Sequence, residues 1–374
     1  MGLQGHVDHP APATAGTRPR LAELEGLRAL AVIAVMLFHF FARFGADYPY
    51  GPDLVPGASY GWLGVQLFFV ISGFVIALTL HNTRSPFDFA VRRAARLVPA
   101  MIVCSALTFL VLWTIDTPFT RAWRVGPEGF LPSLSFTDPM LWHWLFPKAD
   151  YVDGAYWSLF VEVRFYFWAA LGWFVLGRRM FLPAFLGAAL LALLACALLR
   201  DTALGTPLEL LFFPHYLALF CTGMIAHALH GGARGAILLV AFALFAGLSI
   251  WSVQADGAIA MALVAAILVP FVLLIWRPLW LAPLGHPALT LIGATSYSLY
   301  LIHQNVGMAL IGLLPRGQAP AFYLACVLVL ALTLLAFARL IFRTVEQPAQ
   351  RLARRWLARS SAQPRSGSNR LASP

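Results

Sequence analysis

Ten stretches of the chain are long and nearly free of charge: 26–43, 60–80, 97–115, 155–176, 181–199, 208–229, 235–252, 257–276, 288–313 and 321–342. An α-helix rises about 1.5 Å per residue, so about 20 apolar residues cross the roughly 30 Å of bilayer hydrocarbon. The pattern predicts an all-α, polytopic membrane protein of about ten transmembrane helices. Most connections are short, and the exception is a segment of roughly forty residues at 116–154, rich in Pro, Asp and Trp. Three regions follow: a disordered tail at 1–19, a transmembrane domain at 20–350, and a basic tail at 351–374. The first apolar run is not expected to be a cleaved signal peptide. Bulky Phe38-His39-Phe40-Phe41 stands where cleavage needs small residues, and nine more runs follow. No internal repeat and no added soluble domain are expected.

Composition agrees with the pattern. Of 374 residues 60% are hydrophobic and 11% charged, against about 45–50% and roughly 25% in soluble domains. Too few charges remain to coat a soluble globule of this size, which excludes a water-soluble enzyme. The net charge of +10 comes from arginine, since Lys148 is the one lysine. In so apolar a chain, arginine points to anionic lipid and topology signals rather than to nucleic acid. With the N-terminus placed in the cytoplasm, nineteen of the 26 basic residues fall on the inner side and six outside, with Arg164 inside a run. Both termini are therefore expected in the cytoplasm, the 116–154 segment outside, and the protein in the cytoplasmic (inner) membrane. Cys104, Cys196, Cys221 and Cys326 lie far apart in apolar runs and read as small core residues; no metal site is expected.

Ionisable groups inside apolar runs cost several kcal/mol and mark functional cavities. His39 lies eleven residues after Arg28, about 16 Å along a helix and near mid-membrane. Glu162 and Arg164 on the fourth run, and His303 on the ninth, fall at comparable depth, with Gln66 and Ser72 on the second run bracketing the same level. Any one of these has an ordinary alternative as a hydrogen-bonded packing residue. Several together require a polar cavity, because lipid does not satisfy them. A second cluster is basic: Arg92-Arg93-Ala94-Ala95-Arg96 opens the third run. Arg93 and Arg96 share a helix face, where two guanidinium forks suit phosphate oxygens; positive-inside anchoring is the ordinary alternative. The arginines at 351–359 read as lipid-headgroup contacts and topology signals.

At this point the residues resemble a known family. Glu25-Gly26-Leu27-Arg28-Ala29-Leu30-Ala31 followed by His39 is similar to the opening of acyltransferase family 3. The resemblance continues through Gly64-Val65-Gln66-Leu67-Phe68-Phe69-Val70-Ile71-Ser72-Gly73-Phe74 and Arg93-Ala94-Ala95-Arg96 with Pro99. It extends to Trp157-Ser158-Leu159 with Glu162 and Phe165-Tyr166, to Ser296-Tyr297-Ser298-Leu299-Tyr300-Leu301-Ile302-His303, and to Glu346-Gln347-Pro348. Order and spacing match across residues 20–350. Gln66 departs from the aspartate usual in that motif.

The resemblance implies an O-acyltransferase. It would move an acyl group, often acetyl, from cytoplasmic acyl-CoA to a hydroxyl of a carbohydrate or lipid-linked sugar, with membrane lipids as its surroundings. His39 would be the catalytic histidine, with Glu162 and Glu25 as lesser acidic candidates. Arg93, Arg96 and Arg28 would hold CoA, and Gln66, Ser72, Trp157, Tyr300 and His303 would line the acceptor cavity. A hydroxyl is a poor nucleophile at pH 7, and an imidazole can take its proton or accept the acyl group itself. A carboxylate such as Glu162 is expected beside His39 to fix its tautomer. The competing class is a proton-coupled transporter, which also uses mid-membrane His and Glu but usually shows internal repeats.

Overall fold

The computed structural model describes residues 22–51 and 54–362. The expected tail at 1–19 and the end of the C-terminal tail beyond 362 lie outside the described residues. Among the described residues there is no strand. Three long helices come first: α1 (Ala22–Phe41), α2 (Gly64–His81) and α3 (Pro86–Thr114). Helix α3 starts where Ser85 accepts the Asp88 backbone N–H and Pro86 fills the first turn, a combination that fixes a helix start. The 116–154 segment folds into two short helices, α4 (Pro118–Trp123) and α5 (Phe130–Ser135), with 3-10 turns between and after them.

Helix α6 (Trp157–Leu199) is bent at Gly177, whose φ of 74° and ψ of 164° are non-helical. Only glycine takes that conformation cheaply, and the exposed Arg178-Arg179 pair follows it directly. The two arms of α6 are the expected fourth and fifth segments. Next come α7 (Gly205–Phe212), α8 (Pro214–His230), α9 (Ala236–Trp251) and α10 (Ala258–Trp276). Helices α11 (Pro287–Ile311) and α12 (Pro320–Ile341) follow, then a π-helical turn over Phe342–Glu346 and the last helix, α13 (Gln347–Ala362).

Helix covers most of each of the ten expected segments, and among the described residues seven helices are both long and apolar enough to cross a bilayer. The difference from ten has local causes. The two arms of α6 are joined across the Gly177 kink and count as one; α9 has only 16 residues; and α11, with 25 residues, is densely polar. That last helix is the axis of the bundle. Every residue from Thr295 to Ala309 is buried, with α1, α3 and α12 packed round it. By contrast Leu191, Leu194 and Leu198 of α6 and Leu328, Val329 and Leu332 of α12 are exposed, the apolar outer surface that a lipid-embedded bundle needs.

The α1–α11 contact is close because glycine stands at both ends of it. A methyl group added at Gly293 would sit 1.8 Å from the Glu25 backbone oxygen, and one at Gly307 would sit 2.4 Å from the Phe40 ring. Small residues allow such backbone approach between membrane helices. We expect Gly293→Ala to destabilise the protein by about 3 kcal/mol or more, at the upper end of overpacking effects. Gly247→Ala in α9, where nothing lies within 4 Å of the added methyl, should be neutral or stabilising by up to about 1 kcal/mol, the helix-propensity gain. Thermal unfolding in detergent checks the pair. Equal melting of Gly293→Ala and wild type would contradict the packing.

Candidate active site

The close approach of α1 and α11 brings two imidazoles together. His303 Nε2 lies 3.0 Å from His39 Nδ1, and the ring centroids are 4.9 Å apart. His39 is 8% exposed and His303 fully buried. The hydrogen-bond pattern fixes both tautomers. His303 Nδ1 faces the Tyr300 carbonyl at 2.7 Å, so it carries the proton and Nε2 is an acceptor. His39 Nδ1 also faces the Val35 carbonyl at 3.0 Å. Surrounded by two acceptors, it must donate. The lone pair of His39 is therefore on Nε2.

Two cavities that share Tyr300 in their walls lie nearby, each about 680 Å³ including the space at its mouth. His39 lines the first, with Gln66, Arg43 and Gln304 among a wall of Phe38, Phe44, Trp62, Trp123, Trp157 and Tyr216. Gln66 is 3% exposed, and its Oε1 is buried without a partner. Aromatic faces and neutral amides make this a surface for a polyhydroxylated, uncharged ligand body.

The second cavity is lined by Arg28, Arg93, Arg96, Ser72, Glu162 and Tyr166, with apolar side chains of α2 between them. Arg28 donates to Glu25 at 3.1 Å. Arg93 donates to Thr79 Oγ1 at 3.0 Å and lies over the Tyr166 ring at 5.6 Å, yet its Nε is buried without a partner. Leaving a buried donor unpaired costs about 1–3 kcal/mol, more when it is charged. Three guanidinium groups and one orphaned N–H form a site that an anion with several oxygens would complete.

The structure differs from the sequence expectation for the carboxylates. Glu162 accepts hydrogen bonds from Ser72 and from Tyr166, the latter at 2.5 Å, and so belongs to the arginine cavity. The side chain that orients His39 is His303. Glu25 is held by Arg28 three residues on, fourteen residues and about 21 Å along α1 from His39. Ser72 lines the arginine cavity, Gln66 and Trp157 line the histidine cavity, and Tyr300 lines both. His303 sits behind His39 rather than in a cavity wall.

Residues not singled out from the sequence complete the scaffold. Arg43 and Gln304 line the histidine cavity. Asp153, fully buried, accepts the Ala155 N–H with one oxygen and the Asn305 N–H with the other, both at 2.9 Å. Asn305 donates from its side chain to the Val152 carbonyl at 3.1 Å, and the Tyr156 hydroxyl donates to Leu301 at 3.1 Å. These bonds tie the turn before α6 to α11 beside His303. Their only sequence signal was position: Asp153 precedes the Trp157-Ser158-Leu159 motif and Gln304-Asn305 follows His303.

A polytopic helical bundle with a paired-histidine cavity abutting an arginine cavity has the parts of a membrane-embedded group-transfer enzyme. The chain belongs to acyltransferase family 3: the family described as acyltransferase domain matches residues 21–338. It is 30% identical over 165 residues to acyltransferase MdmB of Streptomyces mycarofaciens, covering 43% of this chain and 41% of that protein. It is 37% identical over 90 residues to the O-acetyl transferase of Shigella phage Sf6, covering 24% and 26%. It is 27% identical over 205 residues to a putative peptidoglycan O-acetyltransferase, YrhL, of Bacillus subtilis (strain 168), covering 49% and 28%. The matches thus span about two fifths of the first relative and about a quarter of the other two. No solved structure matches.

Burial pushes the Asp153 carboxyl up to about 7, against the Ala155 and Asn305 N–H groups that hold it down. An unfolded Asp titrates near 3.9, so the folded state holds this proton more tightly. The stability it contributes is complete below about pH 4 and lost as pH rises through about 7. We expect the melting-temperature advantage of wild type over Asp153→Asn to be larger at pH 5 than at pH 8. An advantage constant across that range would show that Asp153 does not titrate there.

Proposed function

We propose that this protein is a membrane O-acyltransferase that moves an acyl group, in the first instance acetyl, from cytoplasmic acyl-CoA to a hydroxyl of a carbohydrate or lipid-linked sugar. The observation that carries the reading is the His303–His39 pair, which leaves His39 Nε2 as a fixed acceptor in one cavity while three arginines line the next. CoA phosphates would bind Arg28, Arg93 and Arg96. The acceptor would lie against the aromatic wall of the histidine cavity. The acceptor oxygen attacks the thioester carbonyl as its proton passes to His39 Nε2. Collapse of the tetrahedral intermediate then breaks the carbon–sulfur bond. The proton leaves His39 for the sulfur, giving the ester and free CoA thiol. Names of relatives that transfer acetyl to oxygen support acetyl as the first donor to try.

Two variants separate the roles. His39→Gln keeps a polar side chain of similar size but cannot take a proton. It should bind CoA like wild type, while turnover of acetyl-CoA with a panel of sugar-lipid acceptors falls by about 10²–10⁴-fold, the range for losing a general base. The Arg93→Ala/Arg96→Ala double variant should weaken CoA binding by about 1.5–3 kcal/mol or more, the scale of a hydrogen bond to a charged group. A folded His39→Gln protein turning over at the wild-type rate would defeat the mechanism.

The donor side has its own check. The arginine distribution supports placing the arginine cavity and both termini in the cytoplasm. A reporter active only in the cytoplasm should work when fused after Pro374 and fail when inserted near Pro127. Activity at Pro127 would reverse the assignment of sides.

A further inference from the structure

The two cavities meet at one place. Val65 on α2 and Tyr300 on α11 line both, and among the described residues they alone do so. They are 8% and 5% exposed, so both are packed side chains where the two cavities adjoin. Tyr300 is held in position. Its hydroxyl donates to the Ala155 carbonyl at 3.0 Å and lies 2.8 Å from Ser158 Oγ. Its ring packs edge-on to Phe68 at 5.9 Å between centroids. The other shared wall, Val65, is a β-branched side chain with little rotamer freedom. The walls common to both cavities are one anchored phenol ring and one isopropyl group.

We propose that Val65 and Tyr300 gauge the acyl group, so that the protein takes acetyl and discriminates against longer acyl chains. This rests on the assignment of the donor to the arginine cavity and of the base to the histidine cavity. A donor anchored there by its phosphates reaches His39 only by passing its thioester end beyond these shared walls, and the acyl group is what lodges between the two side chains. Each added methylene must then displace packed side-chain atoms rather than water. Interiors packed near crystal density resist such insertion. Because the Tyr300 ring is held by two hydrogen bonds, the size of the side chain at position 65 sets the opening. The polar lining supplies no such selection, since the arginines contact the part of the donor that all acyl-CoA molecules share.

The test needs no acceptor. Calorimetry on purified full-length protein in detergent compares CoA, acetyl-CoA and butyryl-CoA for wild type, Val65→Ala and Val65→Phe. One or two methylenes in a fitted pocket change selectivity about 10–200-fold. Wild type should bind acetyl-CoA at least about tenfold more tightly than butyryl-CoA, and Val65→Ala should bring the two within about threefold. Val65→Phe should lose about tenfold or more for acetyl-CoA. Affinity for CoA itself should stay the same in all three, which also reports that the variants are folded. An unchanged acetyl-to-butyryl ratio in Val65→Ala, or no preference in wild type, overturns the gauge while leaving the donor site standing. Failure of wild type to bind CoA overturns the donor assignment instead.

Discussion

A polar group within a helix that crosses a bilayer is tolerable only when a neighbouring element supplies its partner, and α11 meets that condition along its buried length. Tyr297 donates to the Leu97 carbonyl of α3 at 2.8 Å. Ser298 donates to Glu346 in the π-helical turn. Tyr300 reaches the turn before α6, His303 reaches α1, and Asn305 reaches Asp153 and Val152. Five residues therefore fix four different pieces of chain to one helix. A slip of α11 by one position rotates each of these groups by about 100° and orphans them together. The cooperative penalty for misregister explains how so polar a helix can sit at the centre of an apolar bundle.

The same constraint divides the chemistry. Gln66 and Ser72 are six residues apart on α2, about 9 Å along its axis, and they face different cavities. On the Ser72 side, charges are dense and answered by charges or hydroxyls: Arg28 by Glu25, Glu162 by Ser72 and Tyr166. On the Gln66 side the groups are neutral apart from Arg43, and aromatic surface dominates. The proposed anionic donor and uncharged acceptor would thus be sorted to opposite sides of Val65 and Tyr300 by electrostatics and desolvation.

Much of this was legible in the sequence, for identifiable reasons. Apolar run length located the helices, and the break between the runs 155–176 and 181–199 falls at the Gly177 bend in α6. Polar residues out of place in apolar runs pointed to His39, His303, Glu162 and Gln66, because hydrocarbon leaves such groups no other solvent. What run length and depth do not carry is direction. His39 and Glu162 fall at comparable depth, which makes a His–carboxylate pair reasonable, but their helices aim them into separate cavities. Nor does a run of Pro, Asp and Trp without periodicity reveal that Asp153 turns inward to bond α11. That requires the contact between the turn and Asn305, 152 residues later in the chain.

The partner that His39 does have follows from the medium. A carboxylate at the position of His303 would introduce a permanent charge where no water hydrates it, at a cost of several kcal/mol unless fully paired. A neutral imidazole accepts the His39 Nδ1–H through one nitrogen and anchors itself on the Tyr300 carbonyl through the other. It fixes the tautomer as a carboxylate would, and adds no net charge. The Val35 carbonyl, accepting from the same Nδ1–H, restricts the ring further. Orientation is thereby obtained from dipoles and geometry alone. Apart from Arg43, net charge is kept to the arginine cavity, and in the proposed reaction it would reach His39 only while that residue held a transferred proton.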